Sequence, residues 1–372
     1  MKRTVYLLAT VALVAGCSQS EVLVDTETPV IQVQNNIGFD TFVNKATRAA
    51  NSTALNDFYS AFNVYGWKTV GNENPTCVFN NITVSYFNAD DGSGTEPSAE
   101  WGENPQTGWY YNDIRYWDKM ATGYQFSAYT PTDADANCTA DGVITIGTSE
   151  NPVTVETANL MEDAPSATLA YSGFASDYMT AQSTESNNNN KVSLIFKHLQ
   201  TKLNIRIMLD ESITTAQDVS VQKIEVHNLG NKGYYASDAT ATGTVSGWTI
   251  TEASDQYVPT AGNVYSLNAT NNYNGCYVLE QLILPQTIEK ADADIPSLSE
   301  YSEACIYVEY TIGGETFKSY SPLANIFTTD ESYNLEGGKQ YTLNITVGPK
   351  PIEFTAEVTE WAEGDDKGLD MD

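Results

Sequence analysis

The strongest constraint on the fold of this chain is the period-two spacing of its apolar residues. Leu203, Ile205, Ile207 and Leu209 alternate, as do Ile306, Val308, Tyr310 and Ile312. So do Tyr341, Leu343, Ile345 and Val347, then Ile352, Phe354, Ala356 and Val358. In an extended strand this spacing turns every second side chain to one face, and that face is buried. Gly313-Gly314 supplies a hairpin turn after one such run, and 348–351 links two others. Shorter strands are predicted over 62–67, 77–87, 124–129, 143–146 and 153–155, the third stopping at Pro131. Segments 109–111 and 114–117 flank an Asn-Asp turn, and Asn51-Ser52-Thr53 can cap a short helix over 54–60. Further strands are expected over 192–196, 219–226 and 277–284. Helical periodicity is otherwise nearly absent. The 23 tyrosines, with abundant Gly, Asn, Ser and Thr, suit an all-β protein with many turns.

At 372 residues the chain is too long for one ordinary sandwich. Two antiparallel β-sandwiches in tandem are the natural architecture. The polar run 183–190, with four consecutive asparagines, marks the boundary between domains over 49–190 and 191–361. The chain carries 48 acidic against 18 basic residues, a net charge of −30. That excludes nucleic acid, or an anionic lipid surface, as a partner held by charge.

The first residues read as an export signal. Lys2 and Arg3 precede a short apolar run that is too short for a stable membrane helix, and residues 1–16 end in Ala15-Gly16 before Cys17. Small residues followed by cysteine suit lipid attachment at Cys17 and anchoring of the chain to a membrane through acyl chains. Residues 17–48 form a polar tether and then a strand-like stretch containing Ile31, Val33, Ile37, Phe39 and Phe42, broken at Asn35-Asn36. The small, polar run 44–52 carries one arginine, Arg48, before Ala49. Taken alone it reads as a plain loop. An exposed loop with one arginine is also where a protease would cut.

Four cysteines remain: Cys77, Cys138, Cys276 and Cys305. Export permits disulfides, and Cys77–Cys138 with Cys276–Cys305 is the simplest of three pairings. Buried free thiols are the equal alternative. Of the two histidines, His198 reads as a structural side chain between strands and His227 as a turn residue. No hydrolase, metalloprotease, redox or phosphate-loop motif is present, so neither an enzyme nor a cofactor is expected. Asp133, Asp135, Asn137 and Asp141 carry part of a calcium-loop spacing, but Cys138 and Ile144 stand where glycine and glutamate are required. Trp101, Trp109, Tyr110 and Tyr111 form either a sugar-stacking platform or part of a core.

Several of these segments, in this order, resemble the fimbrillin family, the subunits of type V pili. The resemblance is carried by the lipobox ending at Cys17, Ile37-Gly38-Phe39 before Thr47-Arg48-Ala49, and Phe62-Asn63-Val64-Tyr65-Gly66. It continues through Tyr116-Trp117, 124–131, 194–199, Leu284-Pro285-Gln286, Gly338-Lys339-Gln340-Tyr341 and Val358-Thr359-Glu360-Trp361. The resemblance implies transthyretin-like sandwiches, passage through the periplasm to the outer membrane, and display on the cell surface. It further implies that an arginine-specific protease cuts at Arg48 and removes the strand over 31–42. An extended strand from another pilus subunit then fills the groove by β-strand addition. Adhesion to a glycan or protein on a host or bacterial surface is the expected role. The alternative is a lipid-anchored carbohydrate-binding or adhesin protein that never polymerises. The tail 362–372 is short and acidic, and only Leu369 and Met371 alternate as a donor strand should. The expectation is a weak donor, or a tip or accessory subunit that accepts a strand and donates none.

Overall fold

The computed structural model describes residues 35–43, 54–155, 177–186, 191–213, 219–238, 244–254, 265–267, 275–291, 302–349 and 351–361, all within the unit Gln34–Asp372. Cys17, Ile31, Val33, Arg48, Ala49, Leu369 and Met371 lie outside them. In chain order the strands begin with β1 (Phe39–Val43), β2 (Ala61–Thr69), β3 (Thr76–Asn88), β4 (Ser93–Gly94), β5 (Gly108–Tyr110) and β6 (Gly123–Thr130). Then come β7 (Ala136–Cys138), β8 (Ile144–Ile146), β9 (Val153–Thr154), β10 (Met179–Glu185), β11 (Val192–His198) and β12 (Thr201–Leu209). Next are β13 (Val219–His227), β14 (Leu229–Ala236), β15 (Trp248–Ser254), β16 (Tyr265–Leu267), β17 (Cys276–Ile283) and β18 (Gln286–Glu289). The last are β19 (Cys305–Ile312), β20 (Glu315–Pro322), β21 (Ser332–Leu335), β22 (Lys339–Val347) and β23 (Glu353–Glu360), with one short helix, α1 (Leu323–Phe327), before β21.

The chain is all-β, as its alternation requires. The first sheet runs β1-β11-β10-β6-β2-β3-β4, with β5 also on β3. A second runs β15-β14-β8-β7, with β9 on β14. Two four-stranded sheets run β17-β12-β22-β23 and β16-β13-β19-β20, and β18 pairs with β21. Among the described residues, pairing between these strands is antiparallel except for β1 on β11 and β12 on β22. The first sheet is covered on both faces. Phe62 and Val64 of β2 enter one cluster of buried residues with Phe79, Val84, Phe126 and Phe196. Tyr65 and Trp67 belong to the larger cluster built from β8 and β12 onwards.

The polar run 183–190 joins two strands of one sheet, since β10 pairs with β11 through Met179↔His198 and Thr180↔Lys197. The chain leaves that sheet at Leu199-Gln200, where Trp248 Nε1 donates to the Leu199 carbonyl at 2.8 Å and Gln200 Oε1 accepts from the Tyr178 amide at 3.0 Å. The helix expected over 54–60 is instead a single 3₁₀ turn, Leu55–Asp57, with Ala54 at its start and no side-chain cap bond. Seven residues repay helix nucleation poorly, and burial of Leu55 holds the turn in place. The segments 109–111 and 114–117 do not pair with each other. The first contributes to β5 on β3, while Tyr116 bridges to Asn36.

Candidate functional site: the groove under the first strand

β1 is an edge strand, and its residues obey the strand period. Phe39, Thr41 and Val43 are buried, while Asp40 is exposed and Phe42 is 37% exposed. Ile37, two residues upstream of Phe39, is fully buried on the same face. The strand runs parallel to β11 with Phe39 opposite Val192, Thr41 opposite Leu194 and Val43 opposite Phe196. On its other side the chain just before β1 is clipped to 115–117. The Ile37 amide donates to the Arg115 carbonyl at 2.8 Å, and the Trp117 amide donates to the Asn35 carbonyl at 2.9 Å. The Tyr111 hydroxyl donates to the Ile37 carbonyl at 2.7 Å. Burial pushes the pKa of that phenol far up, so it remains a donor at any physiological pH.

Phe39 fills a slot of four aromatic rings. Its centroid lies 5.8 Å from Phe62, 5.6 Å from Phe79, 5.9 Å from Tyr111 and 6.0 Å from Phe126, each in an edge-to-face arrangement. Gly66 makes room for two of them. A Cβ there would stand 2.9 Å from the Phe126 ring and 3.0 Å from Phe79. Outside the slot, Asp40 meets Lys191 at 2.9 Å, with both side chains more than half exposed. The Thr41 hydroxyl is buried and has no hydrogen-bond partner among the described residues.

Departure of β1 from this groove would uncover both apolar surface and backbone. Ile37, Phe39 and Val43 would each give up roughly 1.5–3 kcal/mol of burial. The edge of β11 would lose a full register of main-chain partners, and a bared edge of this kind recruits another strand.

The other residues singled out by sequence fall elsewhere. Trp109 and Tyr111 are buried, with Trp109 tilted against Phe62 at 5.1 Å and Tyr86 at 5.2 Å. Trp101 donates its indole N–H to the Tyr111 carbonyl at 2.7 Å and sits edge-on to Tyr110 and Tyr111. Three of the four rings therefore wall the core, and they do not lie side by side as an open platform. Asp133, Asp135, Asn137 and Asp141 are exposed, and Asp135 takes the Asn151 amide at 2.9 Å. Asp133 lies in the turn before β7, Asn137 in β7 itself and Asp141 in the turn after it, and among the described residues no group of three or more acidic, His or Cys side chains is placed to hold a metal ion. Cys77, Cys138 and Cys305 stand as free thiols, while the side chain of Cys276 lies outside the described residues. Burial raises the Cys138 thiol to about 11 and the Cys305 thiol to about 12, which leaves both protonated and unreactive at neutral pH.

Sequence reasoning missed Thr41 and the Tyr111 clip. A lone threonine in an apolar run and a tyrosine seventy-four residues from Ile37 carry no local mark of a shared site. His198, by contrast, is a structural side chain. Its Nδ1 lies 2.9 Å from Asp177 and its ring stacks on Trp361 at 3.8 Å. Those contacts join two of the segments, 194–199 and 358–361, that carry the family resemblance.

A model of the fimbrillin-like family matches residues 47–361, from just past β1 to Trp361. Among solved structures, a fimbrial protein from Bacteroides vulgatus ATCC 8482 aligns with 88% of this chain and 100% of its own, at 16% identity and a TM-score of 0.51. The tip fimbrial protein Mfa3 from Porphyromonas gingivalis, C-terminally truncated, aligns with 81% of this chain and 94% of its own, at 11% identity and a TM-score of 0.33. No curated protein sequence matches the chain. The family match spans most of the sequence, and the chain belongs to the fimbrillin-like family as a structural, non-enzymatic, pilus-related adhesion subunit of the cell surface.

Proposed function

We propose that this chain is a type V pilus subunit made as a lipoprotein precursor. Cys17 takes the lipid and holds the exported chain at the outer membrane. An arginine-specific protease cuts after Arg48, and the mature subunit begins at Ala49. The cut frees the subunit from its lipid and leaves β1 held only by noncovalent contacts. An extended strand of a neighbouring subunit then replaces it, and the assembled fibre serves adhesion to a surface glycan or protein. The observation that carries this reading is the placement of β1. It is an edge strand whose inward face is buried, and Arg48 stands five residues beyond Val43. A removable strand requires those two properties together, an edge position and a nearby cut site.

The test is the N-terminus of the subunit sheared from cells, with Arg48→Ala beside it. Ala49 should be the first residue of the native subunit, and the variant should remain longer, lipid-linked and monomeric. Polymer from Arg48→Ala that migrates normally on unboiled gels would sink the mechanism.

A further inference from the structure

Thr41 lies at the middle of the inward face of β1. It is 6% exposed, faces the fully buried Leu194 across the pair, and sits between Phe39 and Val43 on its own strand. Its hydroxyl has no hydrogen-bond partner among the described residues. A buried hydroxyl left unpaired is worse than an apolar group of the same shape. The resident strand therefore carries a fault where its neighbours on the inward face are apolar. Two places earlier the opposite holds, because Phe39 is surrounded edge-on by Phe62, Phe79, Tyr111 and Phe126. An aliphatic or small side chain there would leave a cavity. At the outward position between them, Lys191 stands ready for an acid, as it now has in Asp40 at 2.9 Å.

We propose that this groove selects an extended segment of a partner protein with an aromatic ring at the Phe39 place, an acid or polar residue next, and an aliphatic residue at the Thr41 place. β1 is the poorer filler, and such a segment displaces it. The proposal rests on the strand-exchange reading above and names the occupant of the same site. Residues 362–372 contain no aromatic residue, so that segment leaves the slot unfilled.

Two measurements test this. In the uncut full chain, Thr41→Val should raise the thermal midpoint by on the order of 2 °C. A midpoint that is unchanged or lower overturns the fault at Thr41, and the proposal with it. For the second, the full chain is cut with an arginine-specific protease and titrated with four labelled peptides, read by fluorescence anisotropy. These are a copy of residues 37–43, the same copy carrying Thr41→Val, the copy carrying Phe39→Ala, and a copy of residues 362–372. The Thr41→Val peptide should bind roughly tenfold tighter than the plain copy. The Phe39→Ala peptide should bind more than about tenfold weaker, and the 362–372 peptide weaker than the plain copy. Equal affinities would overturn the selectivity while leaving strand exchange standing. Binding by none of the peptides would overturn strand exchange itself, and the proposal with it.

Discussion

Tyr307 and Glu309 show how single side chains tie this acidic protein to pH. The Tyr307 hydroxyl donates to Glu309 at 2.8 Å, and Lys318 stands 3.4 Å from the same carboxylate. The hydrogen bond first, and then the lysine charge, hold Glu309 below its ordinary value of 4.5. A carboxylate that takes up its proton less readily when folded adds stability above its ordinary value and loses it as pH falls through the folded value. Tyr307→Phe should therefore lower the urea midpoint at neutral pH, and its deficit against the native chain should shrink from about pH 5 to about pH 3. A deficit that stays constant with pH would show that the hydroxyl acts by packing alone. Residue roles were legible where chemistry is local, and opaque where it is not. Gln286 was visible only as part of a short motif. Its role came with the structure, where its amide accepts from the Gly230 N–H at 2.7 Å and donates to the carbonyls of Gly230 and Leu284 at 3.1 and 2.8 Å. The calcium-loop spacing of Asp133, Asp135 and Asn137 runs from a turn into β7, so these side chains do not sit around one loop.

Whole elements were easier to read than their neighbours in the sheets. β6, β12, β19 and β22 follow directly from alternation of their apolar residues, and the structure buries several residues between those as well, Asn204, Tyr307 and Asn344 among them. β23 is also expected, but the apolar positions of its run fade from Ile352, buried just before the strand, to a Val358 that is 44% exposed. It is an edge strand with Glu353, Glu357 and Glu360, and charges on an edge discourage a further strand from pairing. Pairings between distant segments left no trace in sequence. β14 takes β8 and β9 as partners across a long separation, and so the second sheet draws strands from both halves of the chain. In the groove, Ile37 and Phe39 marked the buried face of β1, whereas Phe42 falls on the outer face beside Ile195, itself 43% exposed. The groove also depends on an element behind it. Gly66 interrupts the β2–β3 register and lets Phe79 and Phe126 close on Phe39. Gly66→Ala should cost about 1–3 kcal/mol by overpacking. Denaturant unfolding of the full chain measures it, and an unchanged midpoint would mean that the two rings have room to retreat.

For the whole molecule, the proposed strand exchange divides subunits that pass a strand onward from subunits that only receive one. Leu369 and Met371 are the only large apolar residues of the tail, and as buried side chains they would supply only a few kcal/mol. Asp365, Asp366, Asp370 and Asp372 resist burial beside them. Deleting 364–372 should therefore leave fibres of normal length in electron micrographs, with this subunit at a tip or in an accessory position. Loss of fibres, with only monomers remaining, would make the segment a working donor and the chain a stalk subunit.

The direction of β1 bears on the symmetry of any assembly. The strand lies parallel to β11, and the slot for Phe39 comes before the position of Val43. On the proposed reading, an incoming segment must enter with the same heading, since reversal would misplace both its ring and its main-chain pairing. The giving and receiving surfaces are then different, and no two-fold axis can relate subunits joined this way. Contacts of that kind do not close into symmetric pairs. They propagate, and every link points the same way, so the polymer has a distinguishable head and tail from its first junction.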